Sequence, residues 1–190
     1  MTASAQRLPS VPREQWTDEV REVFAIYEGR EGWENGSKYN FIHFFANHPP
    51  LAKAWLQYNK VLTRGVIDPI LREVIILRTA HNFRSDYEWS MHTEICRHHL
   101  GMGPEYFEAT QEGPQSAFWP ELERDCLSAV DQLCFNHDID DDLWNALAAR
   151  FDKQHMMELL FLVGSYALLS WVLHTARLPL EERPARLADA

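Results

Sequence analysis

The stretch Leu71–Leu100, LREVIILRTAHNFRSDYEWSMHTEICRHHL, decides how this chain folds. Just before it, Asp68-Pro69 supplies an N-cap and a proline at the first helical position. From there Ile70, Val74, Leu77 and Ala80 or His81 recur on one helical stripe, and Glu73, Ile76 and Ala80 lie on an adjoining one. This spacing predicts a helix to about Phe83. Ser85-Asp86-Tyr87-Glu88 then has the S-x-x-E form of a capping box, and it opens a second helix to Leu100, which Gly101 stops. The link Asn82–Arg84 is short enough for the two helices to pack as an antiparallel or steeply crossed pair. Glu73, Glu88 and His92 are predicted to meet where they pack.

Outward from this stretch the same helical period continues. On the N-terminal side, residues 1–15 read as an extended, proline-spaced arm. Thr17 caps a helix to about Glu28, and Gly29 to Tyr39 reads as loop. Asn40 to Asn47 is a short apolar piece, and Pro49-Pro50 start a helix over Leu51 to Arg64. On the C-terminal side, short helices are expected after Gly103-Pro104, from Pro120 to about Asn136, and from Asp141 to Arg150. Lys153 to Arg177 reads as one long helix, apolar nearly all round from Met156 to Val172. Such a helix needs cover on every side, so it is either central or shared with another subunit. No stretch alternates with period two, so the chain is read as all-α, with about eight helices in a single domain over 1–190 and a tail at 183–190.

Composition narrows the partners. A net charge of −10 argues against nucleic acid or an anionic membrane, both of which need a basic surface. Cys96, Cys126 and Cys134 form an odd, sparse set without a C-x-x-C pair, which fits a reducing compartment rather than a disulfide framework. The N-terminus has no apolar stretch of the signal-peptide kind, and the apolar run Leu159–Leu173 is shorter than the roughly 20 residues that cross a bilayer. A soluble cytoplasmic protein is the expectation.

The chemistry concentrates in Glu73, Glu88 and His92. Glu88 and His92 are one helical turn apart and share a face that Cys96 continues. A carboxylate beside an imidazole in apolar surroundings is a workable proton-transfer unit, because the carboxylate orients and charges the ring. Tyr87, Trp89 and Met91 would supply the walls of a substrate pocket that also takes in Cys96 and Arg84, with Arg72, Arg78 and Arg84 as candidate cations for a substrate carboxylate. Other readings stand beside this one. Glu88 also fits as the capping-box partner of Ser85 alone, His92 as a hydrogen-bonded core residue, and Cys96 as a buried, inert thiol. A metal site is not expected, since the three-apart Glu-x-x-His pair of di-iron bundles is missing.

The run LREVIILRTA, then YEWSMH, then a helix ending at Leu100-Gly101 resembles the carboxymuconolactone decarboxylase family, which shares its fold with the alkylhydroperoxidase D-type proteins. HPPLAKAWLQYNKVL and MELLFLVGSYALLSWVLHTARLPLE extend the resemblance, which covers roughly residues 40–182. It implies an all-α, antiparallel multi-helix alkylhydroperoxidase D-like bundle that forms homo-oligomers, trimers or hexamers, around a small-molecule site. In the peroxidase branch a glutamate precedes C-x-x-C and a histidine. Glu73 and His92 match the outer two positions, but Ser85 and Glu88 stand at the cysteines. Without those thiols the resemblance implies acid–base chemistry rather than redox chemistry: a decarboxylase-like lyase that needs no cofactor, with His92 as proton donor, Glu88 orienting and charging it, and Glu73 holding the loop or serving as an alternate base. Two alternatives stand beside it: an alkylhydroperoxidase-like redox enzyme using Cys96 with His92, and a non-enzymatic helical oligomer that binds a ligand.

Overall fold

A computed structural model describes residues 5–181; the tail expected at 183–190 lies outside them. Among the described residues the chain is all helical, with nine α-helices and a 3-10 turn at Arg13–Gln15 that ends the otherwise extended arm. They fall into two compact units, one made of the chain up to Arg64 together with the segment from Leu173 onward, the other of Gly65–Val172.

The first unit holds α1 (Asp18–Asn35), α2 (Asn40–Phe45) and α3 (Pro49–Thr63). Thr17 caps α1 as its sequence predicts, its hydroxyl accepting from the Val20 amide. The helix does not give way to a loop at Gly29. It breaks there, at φ 65°, and resumes to Asn35, because only the glycine has to leave helical geometry. Val23, Phe24, Ile42 and Ala52 are fully buried in this unit. Aromatic contacts reinforce it: Phe24 packs 4.7 Å from His43, and Phe45 stacks 4.6 Å from Trp55.

The second unit holds α4 (Pro69–Asn82), α5 (Asp86–His99), α6 (Pro104–Glu112), α7 (Glu121–Asn136), α8 (Asp141–Ala148) and most of α9 (Lys153–Ala176). Both predicted helix starts of the central stretch form: Asp68 accepts from the Ile70 and Leu71 amides, and Ser85 from the Glu88 amide. From Leu71 to Ala80, α4 is buried at every position but Arg72, so it is the axis of this unit. It packs against α5, α6 and α7. Their core brings together Val74, Leu77, Ala80, Trp89, Cys96, Phe107, Trp119 and Leu127. Glu158 of α9 accepts from the Val66 and Ile67 amides, which anchors the segment leading into α4.

The helix α9 forms within one residue of its expected bounds. At 24 residues it is long and apolar enough by composition to cross a membrane, which the run Leu159–Leu173 alone is not. It is not enclosed on every side. Met157, Phe161, Leu168 and Trp171 are 63%, 53%, 47% and 57% exposed, while Leu159, Leu162, Val163, Tyr166 and Leu169 are buried.

Candidate active site

Two consecutive helices bring Glu73, Glu88 and His92 together, and the link between them is what allows it. After Asn82 the chain turns within three residues. Arg84 adopts φ 52°, and the Ser85 amide donates to the Ala80 carbonyl at 2.9 Å, which closes the end of α4. The helix α5 thus starts immediately and lies along α4, so that a residue one turn into α4 faces one two turns into α5.

At that contact His92 Nδ1 lies 2.6 Å from Glu73 Oε2. On the other edge of the ring, Nε2 lies 3.6 Å from Glu88 Oε2, closer than solvent would allow but beyond a hydrogen bond. Arg72 donates to the second oxygen of Glu73, at 3.0 Å from Nη2 and 3.2 Å from Nε. Glu73, Glu88 and His92 are 2%, 6% and 9% exposed, so three ionisable groups share a nearly dry site. The close partner of the ring is therefore Glu73, one helix away, while Glu88 on the same helix stands off. The Tyr166 ring of α9 meets His92 edge to face at 5.0 Å and covers it.

These surroundings push the three groups apart in proton affinity. Burial raises the Glu73 carboxyl, but His92 and then Arg72 outweigh it and hold it below the usual range. Burial lowers His92, yet the two carboxylates prevail and raise it. Glu88 lacks a comparable hydrogen bond: burial drives it up, His92 opposes only in part, and it reaches about 7. The arrangement is a short hydrogen bond between Glu73 and His92 beside a carboxyl that burial pushes up to about 7.

The expected pocket residues fare differently. Trp89 and Cys96 are fully buried within the core of the second unit, on α5 but packed against α4, α6 and α7 partners. Burial and then Glu73 raise the Cys96 thiol well above its ordinary value, which disfavours a thiolate. Tyr87 is buried and Arg84 is exposed. Of the three candidate cations, Arg72 is at the site. Arg78 is engaged elsewhere: it pairs with both oxygens of Asp131, at 2.7 and 2.8 Å, and donates to the Thr110 and Gln111 carbonyls. Tyr166 was not singled out from the sequence. One hydroxylated ring in a long apolar helix is the signal that could have found it, but its register against α5 is not local. Among the described residues, no group of three or more His, Cys, Asp or Glu side chains is placed to hold a metal.

Residues 49–131 match the model of the Carboxymuconolactone decarboxylase family. No curated protein matches the chain. Among solved structures, a protein from Ralstonia eutropha described as an alkylhydroperoxidase AhpD core, an uncharacterized peroxidase-related protein, superposes with a TM-score of 0.75 at 19% identity, covering 95% of this chain and 92% of its own. An uncharacterized peroxidase-related protein from a Silicibacter species gives 0.75 at 16% identity, over 97% and 93%. A debrominase in complex with 2,3,4-tribromopyrrole gives 0.73 at 17% identity, over 94% of each chain. At these identities the likeness is one of fold.

Proposed function

We propose that this chain, whose residues 49–131 match the carboxymuconolactone decarboxylase family model and which has the alkylhydroperoxidase D-like fold, is a cofactor-free acid–base enzyme acting on a small organic acid or lactone. One observation carries the reading: His92 is held at Nδ1 by Glu73, 2.6 Å away, with Nε2 aimed at a Glu88 carboxyl 3.6 Å away that titrates at about 7. General acid–base catalysis works best when the transferring group has a proton affinity near the working pH.

Each residue then has a role. Glu73, itself neutralised by Arg72, fixes the ring and keeps it charged. His92 Nε2–H is the proton donor. Glu88 returns a proton to the ring and, once ionised, serves as the base. For a carboxymuconolactone-like substrate, the bond to the carboxylate carbon breaks and carbon dioxide leaves. The electron pair enters the conjugated ring system, and His92 delivers a proton to the far carbon. The undisulfided cysteines support work in a reducing, cytoplasmic setting.

The redox alternative rests on the peroxidase-related descriptions of the structural neighbours. It needs a thiolate, and Cys96 is buried with its thiol pushed up. The test is a screen of lactones and unsaturated acids for carbon dioxide release, followed by His92→Gln and Cys96→Ser. His92→Gln should keep the helical content and lower turnover by about 100-fold or more, in the range of a lost general acid. Cys96→Ser should leave turnover largely unchanged. Full activity in the first variant, or peroxide consumption that vanishes in the second, would overturn the assignment.

A further inference from the structure

Two buried serines of α9 differ in how their hydroxyls are met. Ser165 donates to the Phe161 carbonyl one turn back, at 2.6 Å, a common resort of a hydroxyl inside a helix. Thr79 of α4 does the same with the Ile75 carbonyl, at 2.8 Å. Ser170 is 1% exposed, yet its Oγ has no hydrogen-bond partner among the described residues. Its hydroxyl does not take the Tyr166 carbonyl one turn back. Buried polar groups are nearly always paired, so an unmet one at that depth calls for an explanation.

The course of α9 shows the level at which that hydroxyl stands. Near the start of the helix, Glu158 accepts from the Val66 and Ile67 amides just ahead of α4. Near its end, Trp171 meets Phe83 just after α4, ring to ring at 5.6 Å. The helix α9 therefore runs parallel to α4, and antiparallel to α5, which returns along α4. Tyr166 packs on His92 at 5.0 Å. Four residues on, about 6 Å along α9, stands Ser170; four residues back along α5, the same distance in the same direction, stands Glu88. At this level three polar groups lack a hydrogen-bond partner among the described residues: Ser170 Oγ, the Glu88 carboxyl, and His92 Nε2, which stops 3.6 Å from Glu88. Three such groups gathered in a buried place point to a ligand that completes them. The cation of the site, Arg72, is turned to Glu73 on the other edge of the imidazole. A carboxylate brought to this edge would meet Glu88 as a like charge, whereas a neutral carbonyl oxygen would accept from the Ser170 hydroxyl.

We infer that Ser170 is a substrate-binding residue of this site, its hydroxyl donating to a neutral carbonyl oxygen, as in a lactone, held between α9 and the Glu88–His92 edge of α5. The inference deepens the proposed function and rests on it for the site, but it is tested by binding alone. The probe is γ-butyrolactone, with its ring-opened form 4-hydroxybutyrate as the charged comparison, each titrated into the full chain and followed by the His92 ring signals in NMR. The lactone should shift His92 with a Kd in the millimolar range, as a molecule of about six heavy atoms permits, and 4-hydroxybutyrate should bind more weakly. Ser170→Ala should weaken lactone binding about 3–10-fold, the worth of one neutral hydrogen bond. Its melting temperature should stay level or rise, because the change removes an unmet hydroxyl. Ser165→Ala, at a hydroxyl already paired within its helix, should bind the lactone as the parent does. No His92 shift from the lactone far above the millimolar range, tighter binding of 4-hydroxybutyrate, or equal lactone binding by Ser170→Ala would each overturn the inference. So would a melting temperature several degrees lower in Ser170→Ala, which marks a structural hydroxyl. Lactone binding that depends on Ser170 without turnover of any lactone would uphold Ser170 and remove the proposed reaction instead.

Discussion

The helix α4 carries two buried charged residues, Glu73 and Arg78, and their surroundings differ in one respect. Around Arg78 four of the five N–H donors are engaged: both Asp131 oxygens, the Thr110 carbonyl and the Gln111 carbonyl accept from it, and Asn82 donates to Asp131 at 2.7 Å. It joins α4 to α6 and α7. Around Glu73 the pairing is one contact short. Arg72 and His92 engage the carboxylate, but the far edge of the imidazole stops 3.6 Å from Glu88. A well-paired buried cluster fixes structure; a cluster with a gap between donor and acceptor leaves protons able to move. The contrast sets a structural cluster against the candidate site on a single helix.

The largest effect should come from breaking the well-paired cluster. Arg78→Met leaves Asp131 and two carbonyls without their donor, a loss of about 3–5 kcal/mol that should lower the melting temperature by roughly 10 °C or more in thermal denaturation. Glu73→Gln probes the other cluster more gently. His92 then loses the carboxylate that does most to raise it, so its titration should move down in a histidine NMR titration. An unmoved His92 would show that Glu73 does not set its charge.

Glu88→Gln should act on stability in a pH-dependent way. The Glu88 carboxyl titrates at about 7 in the fold against 4.5 ordinarily. Below about 4.5 both states are protonated and the group costs nothing. Between the two values the unfolded chain releases the proton first, and above 7 the folded state carries the full penalty of a buried charge. Glu88→Gln should therefore gain stability over the parent at pH 8 and little at pH 4.5, read from urea midpoints; an equal difference at both would sink the idea. The smallest effect belongs to Arg84→Gly. Arg84 is exposed at φ 52° and touches neither cluster, so glycine should change stability by less than about 1 kcal/mol, in the favourable direction, and leave turnover as it was.

Much of the fold is legible along the chain because it is written in local terms. Thr17, Asp68, Ser85 and Asp140 cap helices where their side chains meet the next amides, and Pro69 and Pro104 start helices where their missing N–H costs nothing. The resumption of α1 after Gly29 was missed, since three glycines in eight residues look like loop while only one needs a non-helical conformation. At the site, the trio Glu73, Glu88 and His92 could be named from spacing and a short link. The division of labour among them could not. Helical spacing puts Glu88 nearest His92, yet side-chain directions across the α4–α5 contact give the short hydrogen bond to Glu73. Spacing also left Arg72, Arg78 and Arg84 equivalent, though burial and partners separate them completely.

The sequence by itself determined most of the helices and their starts, and the ionisable residues that meet between α4 and α5, because caps, breakers and the 3.6-residue period act over a few neighbouring positions. Only the tertiary structure decided which carboxylate holds His92 and which titrates near 7, that Tyr166 covers the ring, and that one stripe of α9 stays open. Those outcomes depend on burial and on distances between side chains far apart in the chain, and a proton affinity follows the environment that folding creates rather than the residue alone.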